Sequence, residues 1–204
     1  MKVKICGITD LDTALQAVAF GADAIGFVFA KSKREIDPSA AGHIAKALPT
    51  NIEKIGVFVN ETREKIEEIA SQANLTMVQL HGDESPEFCH SLNLPVIKAL
   101  SIGSEQDLEK IQLYSNYTIL VDSPAGKYRG GNGTSFNWDL LSSASFSNQK
   151  IILAGGLNQE NVGRAIEIVK PYMVDVSSGV EYNGKKDLKK MKVFIETAKQ
   201  SITQ

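Results

Sequence analysis

Eight times along the chain, a short apolar run gives way to a stretch with helical periodicity, and this alternation constrains the fold more than any other feature. The strand-like runs cover residues 3–6, 24–29, 54–59, 77–81, 95–100, 117–122, 151–155 and 173–178. Each is rich in Val, Ile, Leu or Phe and too short for a buried helix, as strands of a parallel sheet covered on both faces should be. The intervening stretches, 12–20, 38–48, 62–73, 85–92, 104–113, 137–142, 160–169 and 187–198, carry ordinary helix signals. Asp12 is an acidic cap candidate before a helix that ends at Gly21, Pro38 and Pro86 sit at first-turn positions, and Ile66 and Ile69 share one face. A βα unit repeated in this way closes into a (β/α)8 barrel or opens into a doubly wound sheet. Eight units in 204 residues, with no linker and no extra domain, favour the barrel, spanning residues 1–204 as one domain.

Charge and cysteine content narrow the function. Lys plus Arg is 22 and Asp plus Glu is 24, a formal net charge of −2, so nothing draws the chain as a whole to nucleic acid or a membrane surface. An anionic ligand would need a local site of oriented N–H groups or a placed arginine. Cys6 and Cys89 stand far apart and form neither a disulfide framework nor a zinc cluster. The three histidines, His43, His81 and His90, lack metal-ligand spacing, so no metal is expected. With no apolar leader and no run approaching the roughly 18–20 apolar residues of a membrane span, a cytoplasmic protein is expected.

In a βα barrel, chemistry belongs at the C-terminal ends of the strands. Those ends carry Cys6-Gly7, the basic loop 31–34, Asn60, His81-Gly82, Ser101, Asp122-Ser123, Gly155-Gly156 and Ser177-Ser178-Gly179. Strand alternation puts Lys4 and Cys6 on one face, Gln79 and His81 on another strand's, and Asp175 and Ser177 on a third's. Polar side chains inside a barrel are costly unless paired, so several together suggest a site at the mouth with a network beneath it. A free cysteine is most often a small buried hydrophobe, and Cys89, in a helical stretch, fits that description. Cys6 ends a strand and shares a face with Lys4, a cation expected to favour thiolate, the form that accepts a proton. Asp122 closes an apolar strand and could be a turn residue, but the glycine-rich segment 127–133 that follows is a loop able to close over a ligand. Gly155-Gly156 and Ser178-Gly179 follow the last two strands, where this fold commonly binds phosphate. Arg34 is either a solvated loop charge or a carboxylate clamp. His81 is either a satisfied core histidine or a ligand contact.

Read together, the motifs Lys4-Ile5-Cys6-Gly7-Ile8-Thr9, Gln79-Leu80-His81-Gly82, Asp122 with Gly130-Gly131-Asn132-Gly133 and Phe136-Asn137-Trp138, Leu153-Ala154-Gly155-Gly156-Leu157, and Asp175-Val176-Ser177-Ser178-Gly179-Val180-Glu181 resemble, in order, the phosphoribosylanthranilate isomerases. The resemblance implies an Amadori rearrangement of N-(5-phosphoribosyl)anthranilate to 1-(o-carboxyphenylamino)-1-deoxyribulose 5-phosphate in tryptophan biosynthesis, with no cofactor. It makes Cys6 the general base at the sugar C2, Asp122 the general acid at the ring oxygen, and Arg34 the partner of the anthranilate carboxylate. His81 and Gly7 would then border the substrate, and Gly155, Gly156, Ser178 and Gly179 would hold its phosphate. Asn132 and Asn137 stand where many members have Thr and Asp, and Lys33-Arg34 replaces the commoner Pro-Arg. The ligand would be a phosphorylated small molecule, the protein a monomer or homodimer. The alternatives are another sugar-phosphate barrel isomerase or epimerase, which would want two carboxylates or metal ligands at the strand ends, and a phosphate-binding barrel without catalysis.

Overall fold

The computed structural model describes residues 1–122, 138–142 and 149–201. Eight parallel strands close into a barrel in sequence order. They are β1 (Lys2–Cys6), β2 (Ala24–Val28), β3 (Glu53–Phe58), β4 (Met77–Leu80), β5 (Val96–Ser101), β6 (Thr118–Asp122), β7 (Ile151–Leu153) and β8 (Met173–Val176). A helix follows each strand: α1 (Leu11–Ala19), α2 (Pro38–Ala47), α3 (Arg63–Gln72), α4 (Pro86–Ser91), α5 (Glu105–Leu113), α6 (Asp139–Ser142), α7 (Val162–Val169) and α8 (Leu188–Gln200). The ring closes where β1 pairs with β8, Lys4 lying opposite Asp175.

Hydrophobic burial falls into two sets. One draws on the strands and the residue just after β7: Ala24, Ile55, Ile97, Ala99, Leu120, Ile152, Ala154 and Met173. With no helix represented, this set fills the barrel lumen. The other joins the alternate strand positions, such as Val3, Ile5, Phe27 and Leu80, to helix residues such as Ile44, Ile66 and Phe194. That set is the layer between barrel and helices, and the period of two along each strand separates them.

Local chemistry sets most helix boundaries. Thr62, Ser85 and Asp187 cap α3, α4 and α8, and Pro38 and Pro86 occupy the first turns of α2 and α4. The first helix is capped by Asp10 rather than Asp12: the Asp10 carboxylate accepts from Thr13 N–H at 2.8 Å. Asp12 falls one residue inside the helix, where its charge faces the positive end of the helix dipole. The last two strands are shorter than expected, because the backbone leaves the ladder before Gly155 and Ser178. The sequence reading also missed a small hairpin after β8. A 3-10 turn (Ser178–Val180) leads into β9 (Glu181–Tyr182) and β10 (Lys185–Lys186), with Glu181 opposite Lys186. Among the described residues, no helix is long and apolar enough to cross a membrane.

Candidate active site

The C-terminal ends of the strands gather the polar groups. Cys6 ends β1 on the lumen face, as do Lys4 below it and Gly26 beside it on β2. A side-chain carbon on Gly26 would stand 2.9 Å from Cys6 Sγ and 3.1 Å from Lys4 Cε, so glycine there leaves the thiol and the lysine their space. Lys4 is fully buried and its Nζ lies 3.0 Å from Asp175 Oδ1. The contact is close but poorly aligned: both atoms lack a well-formed hydrogen bond within the barrel. Burial opposes the Lys4 ammonium, yet Asp175 and Cys6 raise its pKa on balance.

Lys4 favours the Cys6 thiolate, as expected, but does not outweigh burial. Burial pushes the Cys6 thiol above its usual range, and the Asp175 charge adds to this, while Lys4 and Lys186 pull the other way without prevailing. Lys4 is next to the thiol as alternation required, but much of its charge is already answered by Asp175.

Asp122 ends β6, three strands from β1 by the shorter way round the ring. Leu120, two residues back, is in the lumen set, so Asp122 projects from the same face. Its carboxylate oxygen lies 3.5 Å from His81 Nε2, and both side chains are about one-third exposed, at 33% and 36%. His81 Nδ1 sits 3.2 Å from the Gln79 amide nitrogen. With that amide donating, Nδ1 accepts and the ring proton lies on Nε2, aimed at Asp122. Gln79, His81 and Asp122 therefore make one chain across β4 and β6.

A buried ion pair that the sequence did not reveal supports His81 from behind. Lys98, facing outward from β5, lies 2.8 Å from Glu84. Its ammonium also donates to the carbonyls of Gly82 at 2.5 Å and, more weakly, Leu80 at 3.5 Å, the residues on either side of His81. Glu84 accepts from Asn60 N–H at 2.8 Å and Gly82 N–H at 2.9 Å, tying the β3 and β4 loops together. Burial works against the Glu84 charge, but Lys98 and the Asn60 N–H hold its carboxyl below the usual range.

Arg34 does not stand free in solvent. The loop after β2 folds back, with Arg34 N–H donating to Ser32 Oγ at 3.0 Å and Ile36 N–H to Val28 O at 3.0 Å. The Arg34 stem then crosses Gly7, where any side-chain carbon would lie 2.5 Å from Arg34 Cδ. Gly7 N–H is committed to the Gly26 carbonyl at 2.9 Å, and Gly7 itself is buried beneath that stem. The guanidinium forks onto Glu181, Nε to Oε1 at 2.6 Å and Nη2 to Oε2 at 2.8 Å.

After β7, Gly155 and Gly156 both take left-handed backbone, with φ of 81° and 66°. Positive φ at two successive residues makes a tight turn open to glycine, and backbone N–H groups in turns can form a concavity suited to an anion. Gly179, in the turn after β8, packs so closely on the Leu157 carbonyl that no side chain fits between them. The two loops thus touch. Among the described residues, the N–H groups of Gly155, Gly156, Ser178 and Gly179 donate to no protein acceptor.

The glycine-rich segment 127–133, with Asn132 and Asn137, lies outside the described residues. A shallow hollow beside Cys89, His90 and Tyr117 opens near the starts of β4 and β6, at the other end of the barrel, and holds none of these groups. Cys89 is a buried free thiol, as its helical position suggested. No cluster of three or more His, Cys, Asp or Glu is arranged to hold a metal among the described residues.

A closed (β/α)8 barrel with a thiol, a carboxyl group and uncommitted N–H groups around one mouth defines a class: barrel enzymes that process sugar phosphates. Comparison with known proteins narrows the class. Residues 3–197 match the family described as N-(5'-phosphoribosyl)anthranilate (PRA) isomerase, and the chain belongs to that family. It is 55% identical over 201 residues to the N-(5'-phosphoribosyl)anthranilate isomerase of Bacillus cereus (strain Q1), covering 98% of each chain. The crystal structure of phosphoribosyl anthranilate isomerase from Thermotoga maritima superposes with a TM-score of 0.93 at 46% identity, covering 98% of this chain and 99% of that one. A second phosphoribosyl anthranilate isomerase structure, in complex with reduced 1-(o-carboxyphenylamino)-1-deoxyribulose 5-phosphate, matches at a TM-score of 0.90 and 45% identity, again over 98% and 99% of the two chains.

Proposed function

We propose that this isomerase converts N-(5-phosphoribosyl)anthranilate to 1-(o-carboxyphenylamino)-1-deoxyribulose 5-phosphate with Cys6 as general base and Asp122 as general acid. The observation that carries the assignment is the placement of these side chains on the lumen face at the C-terminal ends of β1 and β6, from which they can approach one sugar from two sides.

The chemistry rests on one proton given by Asp122 and one taken by Cys6, followed by tautomerisation of the enolamine. The anthranilate nitrogen lone pair forms a C1=N bond as the bond from C1 to the ring oxygen breaks, and the oxygen takes the proton of Asp122. The Cys6 thiolate then removes the proton on C2, and the electrons of that C–H bond form C1=C2 while those of the C=N bond return to nitrogen. The enolamine then takes a proton at C1 as its C2 hydroxyl gives up a proton, so that C2=O forms while C1=C2 is lost and the ketose results. His81, hydrogen-bonded to Gln79, orients the Asp122 carboxyl toward the ring oxygen. The phosphate rests on the N–H groups of Gly155, Gly156, Ser178 and Gly179, and Arg34 meets the anthranilate carboxylate. Anchoring a flexible substrate by two anionic ends holds the reacting carbons between acid and base.

The test is a fluorescence assay of phosphoribosylanthranilate consumption by the purified chain. Cys6→Ala and Asp122→Asn should each lower turnover by at least about a hundredfold, the low end for loss of a general acid or base, with melting temperatures near that of the parent. Full turnover in either variant removes that residue from the mechanism.

A further inference from the structure

The ion-pair cluster around Glu181 has no role in proton transfer, yet it is among the most completely hydrogen-bonded sets of charges in the molecule. Glu181 is the first residue of the hairpin, with its side chain 9% exposed, and Lys186 faces it from β10, 6% exposed. Lys186 donates to Glu181 Oε1 at 2.7 Å, Ser177 O at 2.9 Å and Ser177 Oγ at 3.2 Å. An ammonium has three protons, so this one has none to spare. Ser177 Oγ in turn donates to the Cys6 carbonyl at 3.1 Å, joining the hairpin to the end of β1.

Arg34 is different. Glu181 takes its Nε proton and one Nη2 proton, the side edge of the fork. The end edge, made of Nη1 and the second Nη2 proton, has no partner among the described residues, although the side chain is only 30% exposed. A guanidinium has two edges, each able to take a carboxylate in two parallel hydrogen bonds. Glu181 alone would cancel the Arg34 charge and leave the end edge unattractive to a second anion. Lys186 corrects this: Arg34, Lys186 and Glu181 together carry a net charge of +1, matched to one incoming carboxylate.

We propose that Glu181 is a positioning residue, fixing the side edge of Arg34 so that its end edge is presented to the substrate's aryl carboxylate, with Lys186 supplying the uncancelled positive charge. The inference rests on Arg34 being the carboxylate clamp, and it adds that the clamp is prebuilt by a hairpin on the far side of the β1–β8 seam.

Steady-state kinetics on the full chain test it with Arg34→Ala, Glu181→Gln and the double variant. Glu181→Gln should raise KM for phosphoribosylanthranilate by about tenfold, one lost hydrogen bond to a charged group, and leave kcat within about twofold. In the Arg34→Ala background it should change KM by less than about twofold, since neighbours acting through one another are not additive. A Glu181→Gln effect on kcat alone, an unchanged KM, or full additivity with Arg34→Ala would overturn the proposal. If Arg34→Ala itself leaves KM unchanged, the clamp reading has failed; if it raises KM and Glu181→Gln does not, only the positioning role has failed. Should Glu181→Gln fold poorly, Glu181→Asp keeps the charge for Lys186 but is one methylene too short to span the fork. It should then show the same KM rise at wild-type kcat, and an unchanged KM would overturn the proposal equally.

Discussion

Replacing Glu84 by Leu removes one half of an ion pair that water scarcely reaches, the Lys98 and Glu84 side chains being 2% and 3% exposed. The Lys98 ammonium would keep the carbonyls of Gly82 and Leu80 and the face of the Tyr114 ring but lose its counter-charge, and the N–H groups of Asn60 and Gly82 would lose their acceptor. Breaking a buried pair in this way costs about 3–5 kcal/mol, most of it the stranded charge. For a domain of this size about 1 kcal/mol moves the melting temperature by roughly 2–4 °C, so a drop of roughly 6–20 °C follows. The double variant Glu84→Leu/Lys98→Met removes both charges, and a buried pair replaced by apolar residues of similar volume is often near neutral. It should recover at least about 1 kcal/mol of the single-variant loss. The pH dependence has a definite sign. The Glu84 carboxyl is held below its unfolded value, so its stabilisation is complete above that value and fades as pH falls through the folded one. Thermal melts followed by circular dichroism, from neutral pH downward, should show the gap between parent and Glu84→Gln narrowing only in acid. A loss below about 1 kcal/mol for Glu84→Leu, or strict additivity in the double variant, would refute the reasoning that this pair is a single buried unit.

Three further outcomes follow from the site. Gly179→Ala should raise KM by about tenfold or more, because the new methyl group has to displace the Leu157 carbonyl and spread the two loops; a KM for phosphoribosylanthranilate equal to that of the parent would show that the loop contact is not needed for phosphate. The pH profile of kcat/KM should carry a breakpoint above the ordinary thiol range, since burial raises the Cys6 thiol, and Lys4→Met should move that breakpoint further up by removing a cation that favours thiolate; a breakpoint at lower pH in Lys4→Met contradicts this. The Glu181 carboxyl, which burial would raise, is brought to about 2 by Arg34 and Lys186, so the contribution of this cluster to stability should persist at pH 4 and disappear only as pH falls through about 2. Melts of the parent and Glu181→Gln at pH 4 and pH 2 read this directly, and equal gaps at both values would contradict it.

Much of this could be read from the sequence because the signals were local. The period of two put Lys4 beneath Cys6 and Leu120 beneath Asp122, and the closed ring then brought them to one mouth. The paired glycines after β7 declared a loop with left-handed backbone. The ion pairs could not be read this way. Glu181 and Arg34 are 147 positions apart, and only the closure of β1 on β8 brings them together. Lys98 interrupts an apolar strand and reads as a solvated charge, until the register sets it behind Gly82 and next to Glu84. One missed feature was legible: Asn183-Gly184, with φ of 51° and 77°, is a strong short-range hairpin signal, and it placed Lys186 opposite Glu181. Two carboxylates near the start of α1, Asp10 and Asp12, satisfy the same capping rule, and only backbone geometry shows that Asp10 is the cap.

The account depends on a thiol and a carboxyl group reaching one sugar from opposite walls of the barrel. A crystal structure of this chain with the reduced product bound tests that directly. Cys6 Sγ is expected about 3–3.5 Å from the carbon that was C2 and the Asp122 carboxyl at a similar distance from the former ring oxygen, with phosphate oxygens on the N–H groups of Gly155, Gly156, Ser178 and Gly179. A ligand seated with either side chain out of reach, or with its phosphate elsewhere, would contradict the account.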